Sequence, residues 1–227
     1  MVAFVGALIL GVVLLGGAAW FQYAARQARI RAVAAVAQSV GFTFTTTDVD
    51  RIVDLPFGLF AKRGDKRRVE LVISGTHDGV PMRIFDYWYV VQNGRNRTYH
   101  RYTCAIATVP AACPRLHLGH ENILTRLGDD IGLGDIELEY DDFNRRFRVR
   151  CNDQKFAFSL LDGKMMQWLL DADDFDSVEV DGPWVLLARP KLAPAHWLDL
   201  GTWLGAFTRQ IPAVVYSTYP PTDEARP

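Results

Sequence analysis

The stretch RVELVISGTHDGVPMRIFDYWYVVQNGRNRTYHRYTCAIATV, residues 68–109, decides the fold class. Asp78-Gly79 and Asn93-Gly94 each separate two apolar or aromatic runs, and such dipeptides accept the positive φ angles of a two-residue hairpin turn. Together they predict a three-strand antiparallel meander over roughly 68–76, 80–92 and 95–109. With Asn93-Gly94 as the loop, Trp88 falls opposite Tyr99 and Asp86 opposite Arg101, both favourable cross-strand pairs. The same register gathers Phe85, Tyr87, Trp88 and Tyr89 into an aromatic cluster.

Moving towards the C-terminus, charge alternation predicts a second hairpin. Ile136, Leu138 and Tyr140 alternate with acids, while Phe147, Val149 and Cys151 alternate with arginines. A turn at Phe143-Asn144 sets Asp141 against Arg146, Glu139 against Arg148 and Glu137 against Arg150. Two helices are expected over 154–161 and 163–172, N-capped by Asp153 and Asp162, with Met165, Trp168, Leu169 and Ala172 facing inward. Asp181-Gly182 reads as a third hairpin turn. Pro194 then opens a helix carrying Trp197, Leu200, Trp203, Leu204, Phe207 and Ile211 at helical spacing, ending near Pro212.

The N-terminus has a different character. From Val2 to Phe21 there is no charged side chain, which matches the roughly 20 residues a helix needs to cross hydrocarbon. Trp20 and Tyr23 occupy positions expected of an interfacial aromatic belt. A cleaved signal peptide needs a basic residue ahead of the apolar run, and none is present. Arg26, Arg29 and Arg31 follow the run at once, so the positive-inside rule orients the C-terminal side to the cytoplasm. Ile30, Val33, Ala34, Ala37 and Val40 continue the helical spacing, and Gly41 is the expected C-cap. The expected organisation is an anchor over 1–25, a helical stalk over 26–41, a soluble domain over 42–217 and a flexible tail over 218–227.

Whole-chain properties agree with one membrane-tethered globular domain. The 227 residues are 49% hydrophobic and 22% charged with a formal net charge of -1, which excludes general disorder and gives no reason to expect nucleic acid as a partner. The arginine row at 146, 148 and 150 is neutralised by its expected acidic partner strand. Cys104, Cys113 and Cys151 show neither Cys-x-x-Cys nor metal-site spacing, and read as small apolar core residues.

Candidate chemistry is sparse. His117, His120 and Glu121 follow neither zincin order, and a surface loop is the expectation for them. Asp171, Asp173, Asp174 and Asp176 lack the donors and glycine of a calcium loop. No phosphate loop, dinucleotide fingerprint or nucleophile elbow occurs. Asp86 and Glu139 are candidate buried acids, each expected to pair with arginine. The basic run Lys62, Arg63, Lys66, Arg67 and Arg68 could rest on anionic lipid, but an ordinary solvated loop is the expectation, since a handful of basic residues in a turn is common.

Several phrases resemble a group of uncharacterised actinobacterial membrane-anchored proteins. They are Leu55-Pro56-Phe57, Phe85-Asp86-Tyr87, the run Phe143-Asn144-Arg145-Arg146-Phe147-Arg148-Val149, Phe156-Ala157-Phe158, and Met165-Met166-Gln167-Trp168-Leu169-Leu170. The resemblance implies an N-terminal membrane helix and an α+β domain, and carries no activity. The sequence therefore predicts an α+β fold with a mainly antiparallel sheet packed by two or three helices. Its expected role is non-enzymatic, without cofactor or metal, as an interaction or scaffold module on the inner face of the cell membrane with a possible protein partner. The alternatives are a domain binding a small molecule or anionic lipid, suggested by the aromatic cluster and the basic run, and, third, an enzyme with a site assembled from distant residues.

Overall fold

The computed structural model describes residues 2–61, 66–120, 133–172 and 175–221, with side chains from Gly16 onward except Asn93. Helix α1, Val2–Ser39, runs without interruption into the domain. Among the described residues no helix is long and apolar enough to cross a membrane; most of the uncharged run precedes the first described side chain, at Gly16. The helix ends in a Schellman motif: Phe42 N–H donates to the Ala37 carbonyl, Gly41 N–H donates to that of Gln38, and Gly41 sits at φ 71°.

The sheet is built from β1 (Thr43–Thr47), β2 (Lys66–His77), β3 (Val80–Asn93), β4 (Asn96–Gly119), β5 (Gly134–Ile136), β6 (Arg148–Cys151) and β7 (Ser177–Pro190). All described pairings are antiparallel, in the order β1-β2-β3-β4-β6-β5 with β7 against β4. The first half of β4 lies between β3 and β7, and its last residues between β6 and β7. The helices are α2 (Asp141–Arg146), α3 (Gln154–Leu160), α4 (Gly163–Asp171), α5 (Trp197–Gln210) and α6 (Ala213–Thr218). An α+β fold with an antiparallel sheet is therefore what forms.

The meander forms as expected, with one adjustment. Asp78 and Gly79, at φ 50° and 79°, make the first turn. The second turn is Gly94-Arg95: Asn93 pairs with Asn96, and only Gly94 has positive φ, at 62°, as a type II′ turn requires. Trp88 thus pairs with Arg101 and Asp86 with Thr103. The slip relative to the expected register is two residues, so every side chain keeps its face. Trp88 and Tyr99 still meet diagonally, with ring centroids 6.3 Å apart.

Three other sequence expectations are corrected. Residues 141–146 form helix α2, and the strands it joins pair Ile136 with Val149 and Asp135 with Arg150. The Asn144 side chain closes this helix onto Leu138, accepting from its N–H and donating to its carbonyl. Asp181-Gly182 does not turn the chain. Gly182, at φ 56°, lies at an irregularity within β7, opposite Cys113, where the β4–β7 register shifts. Finally, His117 is buried within β4 rather than on a surface loop; His120 follows the strand end, its ring against Phe147 and Phe175, and Glu121 lies outside the described residues.

Two cores sandwich the sheet. On one face Leu71, Ile73, Met82, Ile84, Ala105 and Ala107 meet Val33 and Ala37 of α1 and Trp197, Leu200 and Leu204 of α5. On the other face Ile52, Phe57, Leu59 and Phe60 cover Val69, Val72, Phe85, Tyr87 and Tyr89. Glu179 fastens that covering loop by accepting hydrogen bonds from Gly58 and Leu59 N–H, at 2.5 and 2.9 Å. The aromatic cluster is thereby divided, because Phe85, Tyr87 and Tyr89 belong to this second core while Trp88 points the other way. The three cysteines are buried and free. Tyr219 is also held: its N–H bonds to Val215, its carbonyl accepts from Ala112, and its ring packs edge-on to Phe156.

Candidate functional site

Strand β2 carries an irregularity that shapes the helix-side face. Leu71 sits at φ 56°, and the pairing with β3 shifts between Glu70 and Ile73. Leucine rarely occupies the left-handed region, so this is a bulge held by its surroundings. Its effect is to send Val69 and Val72 to one core and both Leu71 and Ile73 to the other. Glu70 pairs across the sheet with Asp86, placing two acids side by side, which costs stability unless cations compensate.

Helix α1 supplies the compensation. Arg29 grips Asp86 through two hydrogen bonds, from Nε at 2.7 Å and Nη2 at 2.8 Å, the bidentate geometry that favours arginine over lysine. Asp86 is 2% exposed. Thr103 Oγ1 also donates to Asp86 and accepts from Leu192 N–H, while Arg29 Nη2 donates to the Leu192 carbonyl. One turn earlier, Arg26 reaches Glu70 at 3.8 Å. The guanidinium of Arg29 also lies 5.8 Å from the centroid of the Trp197 ring. Asp86 is therefore a buried acid, as expected, but its arginine comes from α1 and not from β4. Glu139 is exposed.

Beside this lock, where α1 leaves the sheet, a cleft of about 810 Å³ opens. Phe21, Gln22 and Ala25 line it on the α1 side, and Trp88, Tyr99 and Arg101 on the sheet side. Among the described residues five cations line it, Arg26, Arg29, Arg68, Arg101 and Lys191, against two acids, Glu70 and Asp86. Both acids are engaged by α1. Arg101 lies 5.5 Å over the Tyr99 ring, and among the described residues neither Arg68 nor Arg101 has a carboxylate partner. Lys191 stands 3.8 Å from Asp86. Burial holds its ammonium below the usual lysine range; Arg29 and Arg101 add to that, and Asp86 opposes it.

The basic run is thus dispersed. Lys66, Arg67 and Arg68 begin β2, with Arg67 donating to the Phe60 carbonyl and Arg68 entering the cleft. Lys62 and Arg63 lie outside the described residues. Arg31 is exposed on α1. Sequence reasoning did not bring Lys191 and Arg101 together with Arg68, since 33 residues separate Arg68 from Arg101 and 90 separate Arg101 from Lys191. Among the described residues no group of His, Cys, Asp and Glu is placed to hold a metal.

No protein-family model and no curated protein matches this chain. Among solved structures, the crystal structure of the mycobacterial trehalose monomycolate transport factor A, TtfA, shares the fold. The match has a TM-score of 0.61 at 18% identity and covers 86% of this chain and 97% of that one. Likeness at that identity is a likeness of fold.

Proposed function

We propose that this protein is a membrane-tethered, non-enzymatic accessory domain, anchored by the first part of α1 and presenting its sheet and helices on the cytoplasmic side. The observation that carries this reading is the continuity of α1. The same helix that holds the uncharged run inserts Val33 and Ala37 into the core and locks Arg29 onto Asp86. An anchor joined through a flexible linker would leave the domain free to tumble; a packed helix fixes its orientation. The fold neighbour supports an accessory role, because its printed description is that of a transport factor, and Arg26, Arg29 and Arg31 support the orientation. The expected partner is another membrane protein.

The test has two parts. The full chain should sediment with membranes and resist carbonate extraction, while a chain lacking residues 2–21 should be released. Photocrosslinkers on exposed positions of the full chain should then capture one membrane protein reproducibly. A full chain extracted by carbonate, or no reproducible adduct from any position, would overturn the reading.

A further inference from the structure

The cleft beneath α1 combines three properties that point to one kind of ligand. First, its charge is unbalanced in favour of cations, and its two acids are already engaged by Arg26 and Arg29. A partly enclosed cationic site of this kind concentrates anions. Second, the remaining cations come from separate parts of the chain: among the described residues Arg68 from β2 and Arg101 from β4 have no carboxylate partner, and Lys191, from the segment after β7, shares Asp86 with Arg29 at 3.8 Å. Guanidinium forks suit the oxygens of a phosphate group. Third, the lip is made by Phe21, Gln22 and Ala25, at the end of the uncharged run, with Tyr99, 54% exposed, among the facing residues. An aromatic and apolar lip next to a cationic interior suits an amphiphile.

We propose that this cleft binds the phosphate-bearing head group of an anionic membrane lipid, with Arg68, Arg101 and Lys191 contacting the phosphate and Phe21, Trp88 and Tyr99 flanking the glycerol and upper chains. The proposal rests on the membrane-tethered reading for the source of the ligand; the binding chemistry belongs to the cleft alone. Arg29 is not free for this task, because it holds Asp86. Inorganic phosphate shares the anionic chemistry but has no part that would use the aromatic lip.

The experiment uses the full chain in a neutral maltoside detergent and measures the affinity of dihexanoyl phosphatidylglycerol, dihexanoyl phosphatidylcholine and inorganic phosphate by calorimetry. Phosphatidylglycerol should bind at least tenfold tighter than either of the others. R68A and R101A should each weaken it about tenfold while leaving the melting temperature without lipid unchanged, since both side chains are exposed. R97A, on the same hairpin but outside the cleft, should change nothing. Inorganic phosphate binding as tightly as the lipid would overturn the lipid source. Equal affinity for the two lipids, or indifference to both cleft substitutions, would overturn the site. Because these measurements are made in detergent, they succeed or fail independently of whether the chain fractionates with membranes.

Discussion

Arg29 shows how one residue can serve two purposes. In sequence it belongs to a basic cluster that follows an apolar run. In the fold it is the partner of a buried acid, with a side chain 17% exposed against 3% for Asp86. Removing one member of a buried pair leaves the other charged and unpaired, at a cost of about 3–5 kcal/mol. R29A should therefore lower the melting temperature of the full chain strongly, R29K less so because lysine keeps the charge while losing the fork, and R31A hardly at all. Equal effects of R29A and R31A would show that the pair does not hold α1 to the sheet. The buried thiols give a second prediction at this scale. Burial, followed by Asp86 and Glu179, raises Cys104 well above its usual value; burial, followed by Asp181, raises Cys113 to about 12; burial also raises Cys151. The unfolded chain would release these protons first, from about pH 9, so stability present below that pH is lost as pH climbs towards the folded values. Lys191 acts in the opposite sense, but Tyr87 and Tyr89, also raised by burial, side with the thiols. The urea midpoint should be flat from pH 7 to 8 and fall above about 9, less steeply in C113A. A midpoint that rises through this range would contradict the burial of these groups.

At the scale of elements, the seating of α1 depends on its last turn. Phe42, the residue after the left-handed Gly41, packs on Gly75 of β2, where an added Cβ would lie 2.2 Å from the ring. Overpacking a core contact typically costs about 1–3 kcal/mol, so G75A should destabilise by that amount and F42L should recover part of the loss in the double variant. Additive effects of the two substitutions would mean that the contact is not made. Which elements were legible in the sequence follows from how local their signals are. The Asp78-Gly79 turn and the Asp153 and Asp162 caps are encoded within four residues, and each forms as expected. The 93–96 turn is placed one residue late because the glycine, and not the asparagine, takes the positive φ. The charge alternation of 136–151 is a real period-two pattern, yet Asp141, Asp142, Arg145 and Arg146 also suit the two ends of a short helix, and the helix forms. Asp181-Gly182 has the composition of a turn, but β4 extends to Gly119 and gives β7 a partner on both sides of the glycine.

For the whole molecule, the fold class was legible and the candidate cleft was not. Alternation and turn chemistry suffice for an antiparallel sheet with helices, because each strand carries its own pattern. The cleft gathers residues from α1, β2, β3, β4 and the segment after β7, and no local spacing encodes such convergence. A partial signal was present: Arg26 and Arg29 stand three residues apart on the helix, matching the spacing of neighbours on one helix face, and Glu70 and Asp86 fall on adjacent strands. In the proposed arrangement α1 rises from the bilayer as a rigid stalk, so that the cleft opens at the membrane surface. Gln22 and Gln38 are both exposed on that helix, about 24 Å apart along its axis at 1.5 Å per residue. The buried native cysteines leave an introduced surface thiol as the preferred target for a spin label. In the full chain reconstituted in vesicles, a label at Q22C should sit at head-group depth, relaxed by oxygen and lipid-bound paramagnets, and a label at Q38C should respond only to water-soluble reagents. Equal depths at the two positions would mean that the helix lies along the surface, and aqueous behaviour at both would remove the anchor.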